Sequence, residues 1–141
     1  MEPKILYRAA VEEVPEESYT LPIGKAEVVK PGNDLTIISY GRPLYMCQAA
    51  IDAAEKELSG VKIELIDLRT IFPWDRQTVS ESVIKTGQAI VVHESMINFG
   101  VGAEVAATIQ NGAFLHLQAL EKYILPDVTR VYNAIHKLLA Y

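Results

Sequence analysis

The chain has 141 residues, half of them hydrophobic and 22% charged, which suits one folded domain with a real core and excludes a disordered tract. Its formal charge of -5, with no cluster of Lys or Arg, argues against a nucleic-acid partner, because such affinity rests on cations against phosphate. A single cysteine, Cys47, excludes an internal disulfide and makes a reducing compartment the default, and no apolar run reaches the roughly 20 residues that a membrane span needs.

Residues 1–25 read as a connector or surface arm. Glu12, Glu13, Glu16 and Glu17 cluster there, and Pro3, Pro15 and Pro22 interrupt any long element. From residue 26 strands alternate with helices, so residues 26–141 read as the folded domain. Residues 26–30 form a short strand candidate. Pro31-Gly32-Asn33-Asp34 is a turn, since Pro presets φ while Gly and Asn accept positive φ. Residues 35–40 are apolar and β-branched, as in a buried strand. Leu44, Cys47, Ile51, Ala54 and Leu58 recur at intervals of three and four, one stripe of a helix that Gly60 ends as its cap. Cys47 reads as a small buried residue of that stripe. In residues 62–68, Ile63, Leu65, Ile66 and Leu68 make a strand apolar on both faces, as a central parallel strand requires. Asp75 caps a second helix, with Val79, Val83 and Ile84 inward and Gly87 as its stop. Residues 89–93 form a third apolar strand, and a helix starting near Gly100 carries Val101, Val105, Ile109 and Leu115. Pro126-Asp127 opens a last helix, because Pro suits a first turn and Asp the positive end of the dipole. The order predicts a three-layer α/β/α sandwich, its sheet mostly parallel with one antiparallel strand.

Few residues offer chemistry. Gly100-Val101-Gly102 opens a helix after a strand, but Val105 stands where a dinucleotide fingerprint needs Gly or Ala, and the run Glu94 to Phe99 is too long for the tight turn. The glycines then simply let the backbone pack closely. His93 and Glu94 fall at the carboxyl end of a parallel strand, where α/β sheets bind ligands, yet no nucleophile with an orienting base is evident beside them. His93, His116 and His136 lack metal-site spacing. Asp67 and Arg69 can pair with each other or with a neighbouring chain. Trp74 and Tyr132 are interface anchors or core residues. No residue is assigned a catalytic, cofactor-binding or metal-ligating role.

The strings Glu-Pro-Lys-Ile-Leu-Tyr-Arg-Ala-Ala-Val-Glu-Glu-Val-Pro at 2–15, Leu-Pro-Ile-Gly-Lys-Ala-Glu-Val-Val at 21–29, Ile-Asp-Leu-Arg-Thr-Ile-Phe-Pro-Trp-Asp at 66–75, Ser-Val-Ile-Lys-Thr-Gly at 82–87, Phe-Gly-Val-Gly-Ala-Glu-Val at 99–105 and Leu-Pro-Asp-Val at 125–128 carry a resemblance. Together they resemble the beta subunit of the branched-chain 2-oxoacid dehydrogenase decarboxylating component, in its C-terminal, transketolase-C-type domain. The pyruvate dehydrogenase beta subunit shares much of the pattern and is the alternative, alongside an independent nucleotide- or anion-binding module. The resemblance implies oxidative decarboxylation of branched-chain 2-oxoacids by a mitochondrial-matrix enzyme (cytoplasmic if bacterial). Thiamine diphosphate and magnesium would be bound outside this chain, which alone would be inactive. Implied partners are an alpha subunit and a second beta subunit, in a two-alpha, two-beta heterotetramer, and the peripheral binding domain of a lipoyl-bearing acyltransferase. Tyr141, through its carboxylate, and Gln118, where the family carries an acid, are the implied docking positions. Asp67, Arg69, Trp74 and Glu94 are subunit-interface candidates. The family also runs from Ala119 through an edge strand before Leu-Glu-Lys-Tyr, whereas here Ala119 joins Leu120 directly, so the sheet is expected to lack its last edge strand.

Overall fold

A computed structural model describes residues 4–7, 11, 13–96 and 98–116. The chain divides into two compact units, Met1–Ile109 and Gln110–Tyr141. The first contains a 3-10 turn (Lys4–Leu6), then β1 (Glu27–Lys30), β2 (Leu35–Ser39), α1 (Arg42–Glu57), β3 (Ile63–Asp67), α2 (Arg76–Thr86) and β4 (Ala89–Val91). The last described element, α3 (Val101–His116), begins in that unit. The expected helix after Pro126, the Leu115 side chain and the expected loss of a strand near Ala119 lie outside the described residues.

The four strands lie in the order β1-β3-β2-β4. β2 and β3 run parallel, from Leu35 opposite Ile63 to Ser39 opposite Asp67, and β4 joins β2 in parallel with Ile90 opposite Ile37. β1 alone is antiparallel, pairing with β3. Alternation along a strand sends neighbours to opposite faces. Ile37, Ile63 and Leu65 therefore meet Cys47 and Ile51 of α1 on one face. Ile38 and Ile66 meet Val79 and Val83 of α2 and Val105 of α3 on the other. Helices on both faces of a mixed sheet give the three layers expected from the sequence.

Several local expectations need correction. α1 stops at Glu57, and Leu58 leaves the helix at φ -98° with its side chain exposed, so it is not part of the buried stripe. Gly60 lies two residues past that cap, in the following turn. In α2 the inward stripe is Val79, Ser82 and Val83, at intervals of three and one, while Ile84 turns away and is 41% exposed. β4 is shorter than residues 89–93, and Ala89 and Ile90 are exposed. β3 is not wholly apolar, because Glu64 is buried within it. The Glu64 carboxylate accepts from the Gly32 N–H, from Ser82 Oγ and from Lys85 Nζ.

The α2 boundaries follow the sequence. Asp75 accepts from the Thr78 N–H at 3.1 Å and from Thr78 Oγ1 at 2.8 Å, while Gly87 takes the left-handed cap conformation, φ 73°, and donates to the Val83 carbonyl. Asp75 also accepts from the Ala26 N–H at 3.1 Å, and Thr70 Oγ1 accepts from the Gly24 N–H at 3.0 Å. These bonds pin the start of the sheet to the β3–α2 loop, while residues 13–23 are exposed. Asp75→Ala removes both a helix cap and this pin, and urea unfolding is expected to show a loss of about 2 kcal/mol.

Burial alone would push the Glu64 and Asp75 pKa values up. The Lys85, Ser82 and Gly32 donors hold Glu64 below its ordinary 4.5, and the Thr78 and Ala26 donors with Lys25 hold Asp75 below 3.8. Each group is thus more acidic folded than unfolded. Its stabilising contribution is complete above the ordinary carboxylate values and disappears as pH falls through the depressed ones. Thermal melts are therefore expected to be flat from neutral pH to about pH 5 and to drop below about pH 4, with Glu64→Gln reducing that drop.

Candidate functional site

Three loops leave the carboxyl ends of the parallel strands. They comprise residues 40–41 after β2, 68–75 after β3 and 92–100 after β4. This is the end at which open α/β sheets present ligands. The second and third loops, with the first turns of α2 and α3, border an open cavity of about 580 Å³. Ile71, Phe72, Trp74, Phe99 and Val101 supply its apolar walls, and Arg76 and Glu104 cross its rim as an ion pair at 2.8 Å. Arg76 also stacks over the Trp74 ring, 5.5 Å from its centroid. Because the two rim charges neutralise each other, the cavity offers apolar area rather than a field for a charged substrate.

The aromatic groups here are unequal. Trp74 is 9% exposed and packs into the core with Ile38 and Val79. Phe72 is 95% exposed and Phe99 fully exposed. Phe99 also holds φ 61°, a backbone conformation costly for a large side chain. Of the two roles that the sequence leaves open for Trp74, interface anchor or core residue, the structure shows the core one, and the exposed aromatics are Phe72 and Phe99, to which the sequence assigns no role. The available signal was local: Phe72 precedes Pro73 and Phe99 precedes Gly100, and neither fits the helical or alternating stripes that claim the core.

The polar candidates form a separate group beside this cavity. His93 Nδ1 accepts from the Ser95 N–H at 3.2 Å and lies 2.8 Å from Ser95 Oγ, and Ser95 Oγ lies 3.1 Å from Tyr40 Oη. A hydroxyl therefore does lie beside the histidine, which the sequence reading did not anticipate. Nδ1 is already engaged by a backbone donor two residues on, so the arrangement closes a turn and leaves that nitrogen poorly placed as a base. Glu94 pairs with Arg42 at 3.1 Å. Asp67 accepts from the Arg69 N–H at 3.0 Å, while the Arg69 guanidinium pairs with Glu27 of β1 rather than with Asp67. Tyr132, Gln118 and Tyr141 lie outside the described residues.

The glycines at the start of α3 have a physical reason. A Cβ on Gly102 would overlap His93 Nε2 and Cδ2, so the imidazole itself fills the space beside this helix start. A diphosphate has no cradle there. Among the described residues no group of three or more His, Cys, Asp and Glu could hold a metal ion. Gly102→Ala is expected to cost 1 to 3 kcal/mol, about the range for overpacking, and to become nearly neutral in a His93→Ala background. Chemical denaturation of the two single variants and the double variant checks this coupling.

Comparison with known proteins places these features in a family. The family model described as "Transketolase, C-terminal domain" matches residues 24–140. The chain is 56% identical over 146 aligned positions to the 2-oxoisovalerate dehydrogenase subunit beta, mitochondrial, of Chaetomium thermophilum, covering 92% of the chain and 31% of that protein. It is 44% identical over 119 positions to the pyruvate dehydrogenase E1 component subunit beta of Acholeplasma laidlawii, covering 84% of the chain and 36% of that protein. Among solved structures, a split gene transketolase titled an inactive beta4 tetramer superposes with TM-score 0.62 at 28% identity, over 72% of this chain and 33% of that one. The chain thus spans 31–43% of the length of the curated relatives it matches.

The alignment lengths carry a further fact. With the Chaetomium protein, 146 positions take up only 92% of 141 residues, about 130, so about 16 positions have no counterpart here. With the Acholeplasma protein, 119 positions take up 84%, about 118 residues, nearly one to one.

Proposed function

The chain belongs to the transketolase C-terminal domain family, and from that premise we propose that it is the assembly and partner-docking domain of a branched-chain 2-oxoacid dehydrogenase beta subunit. Residues 1–25 act as the connector and residues 26–141 as the domain. The observation that carries this reading is the apolar cavity at the carboxyl ends of the strands, rimmed by exposed Phe72 and Phe99. An exposed aromatic pair beside a cavity is the signature of a protein contact. The 2-oxoisovalerate relatives align over 92–99% of the chain and the pyruvate relatives over 81–84%, and this greater coverage favours the former. The assembled enzyme oxidatively decarboxylates branched-chain 2-oxoacids in the mitochondrial matrix. Thiamine diphosphate supplies the carbanion-stabilising chemistry there, with magnesium, from walls that this chain does not provide.

Its partners are an alpha subunit, a second copy of the beta subunit, and the peripheral binding domain of the lipoyl-bearing acyltransferase. Gln118 and Tyr141 serve the last of these. Asp67, Arg69, Trp74 and Glu94 support subunit contacts by shaping the loops that meet them. Co-expression of the tagged chain with the matching alpha subunit and the N-terminal half of the beta subunit tests the reading. Co-purification in equal amounts is expected, and recovery of the chain alone contradicts it.

A further inference from the structure

β4 lies at the end of the sheet, and among the described residues it pairs only with β2. The Gln88 carbonyl accepts from the Thr36 N–H, and the Val92 N–H donates to the Ile38 carbonyl. In a parallel ladder this directs the even-numbered residues toward β2 and turns the N–H and C=O groups of Ala89 and Val91 to the outer side. The strand is apolar, with Ile90 47% exposed. From Gln88 to Val92 it carries no charge and no proline, so the devices that protect natural edges are missing. Parallel sheets are ordinarily covered. The Chaetomium relative has about 16 aligned positions that have no counterpart in this chain.

We propose that the outer edge of β4 pairs with β4 of a second copy, in antiparallel register about a two-fold axis at Ile90. Outward-facing groups at Ala89 and Val91, two residues apart, are self-complementary under that operation. Ala89 lies opposite Val91 of the partner subunit, and each such pair exchanges two N–H···O bonds, so the contact closes with four. The two Ile90 side chains then meet across the axis. The four described strands of each copy then join in one continuous sheet, through groups that pair with no other described strand. The proposal rests on the reading that the chain associates with its own kind, but it names the outer edge of β4, none of whose residues lines the aromatic cavity.

Sedimentation equilibrium of the full chain tests it, comparing the wild type with Ile90→Lys, Val91→Pro and, as a control, Phe72→Ser. Val91→Pro removes an outward donor without breaking a bond to β2. The wild type is expected to dimerise, both β4 variants to dimerise at least tenfold more weakly while keeping their circular dichroism spectra, and Phe72→Ser to dimerise as the wild type does. Hydrogen exchange at Ala89 and Val91 is expected to slow as protein concentration rises. A wild type that stays monomeric, β4 variants that dimerise normally, or protection of these two amides independent of concentration (an edge covered by its own chain) overturns the proposal. Loss of dimer in Phe72→Ser alone moves self-association to the cavity and also overturns it. A failure confined to co-purification with the alpha subunit would instead count against the assembly reading.

Discussion

Replacing Glu64 with alanine is expected to cost about 3 kcal/mol of stability, more than any other single polar substitution in the sheet. The carboxylate lies buried between β3 and α2, and its oxygens are satisfied by the Gly32 N–H, Ser82 Oγ and Lys85 Nζ. Thr36 Oγ1 extends the network, 2.7 Å from Ser82 Oγ and 2.8 Å from Thr86 Oγ1. Removing Glu64 leaves a cavity and strips partners from a buried hydroxyl and a buried amide, each costing about 1 kcal/mol or more. The ion pair itself contributes less. The Lys85 side chain is 43% exposed, so solvent screens it and Lys85→Met is expected to cost under about 1 kcal/mol. Glu64→Gln, which keeps the volume and most hydrogen bonds, should fall between the two. Guanidinium unfolding of the three variants gives the order, and a Lys85→Met loss as large as that of Glu64→Ala would show that charge, not hydrogen bonding and packing, dominates.

The second large effect concerns association rather than folding. Phe72→Ser combined with Phe99→Ser is expected to weaken binding to the alpha subunit and the N-terminal half of the beta subunit by about 100-fold or more. Two aromatic side chains each buried on assembly are worth about 2 kcal/mol, discounted for non-additivity, and every 1.4 kcal/mol is tenfold. The fold should hold, since exposed side chains contribute about 0.5 kcal/mol or less to stability. Trp74→Ser should behave in the opposite way and unfold the domain, because its ring packs against Ile38 and Val79. Surface plasmon resonance paired with thermal melts separates the two outcomes.

The contrast between Trp74 and Phe72 shows where the sequence is legible. Apolar runs marked the described strands and stripes at intervals of three and four marked the α-helices, because burial in a sheet or on one helix face leaves such patterns, whereas the short 3-10 turn at Lys4–Leu6 left none. Asp75 and Gly87 marked both ends of α2, because caps act through local hydrogen bonds and local φ. The sequence reading failed where a residue answers to something distant. Glu64 sits in an apolar run because Ser82 and Lys85, far along the chain, supply its donors. Ser82 displaced Ile84 from the inward stripe for the same reason. Leu58 fell out of its stripe because α1 ended at Glu57. The aromatic cavity was not legible at all, since it exists only where two loops from different strand ends meet, and Arg69 reached Glu27 through the antiparallel pairing of β1 rather than its neighbour Asp67.

The central claim is that these 141 residues act through the surfaces they offer and not through a reacting centre of their own. The most direct measurement is 2-oxoacid decarboxylation, with thiamine diphosphate and magnesium supplied, by the purified chain alone and by the chain mixed with the alpha subunit and the N-terminal half of the beta subunit. The account predicts no turnover by the chain alone, and turnover in the mixture that depends on adding the chain and falls with the Phe72→Ser and Phe99→Ser double variant. Turnover by the unaided chain, or a mixture indifferent to its presence, would contradict it.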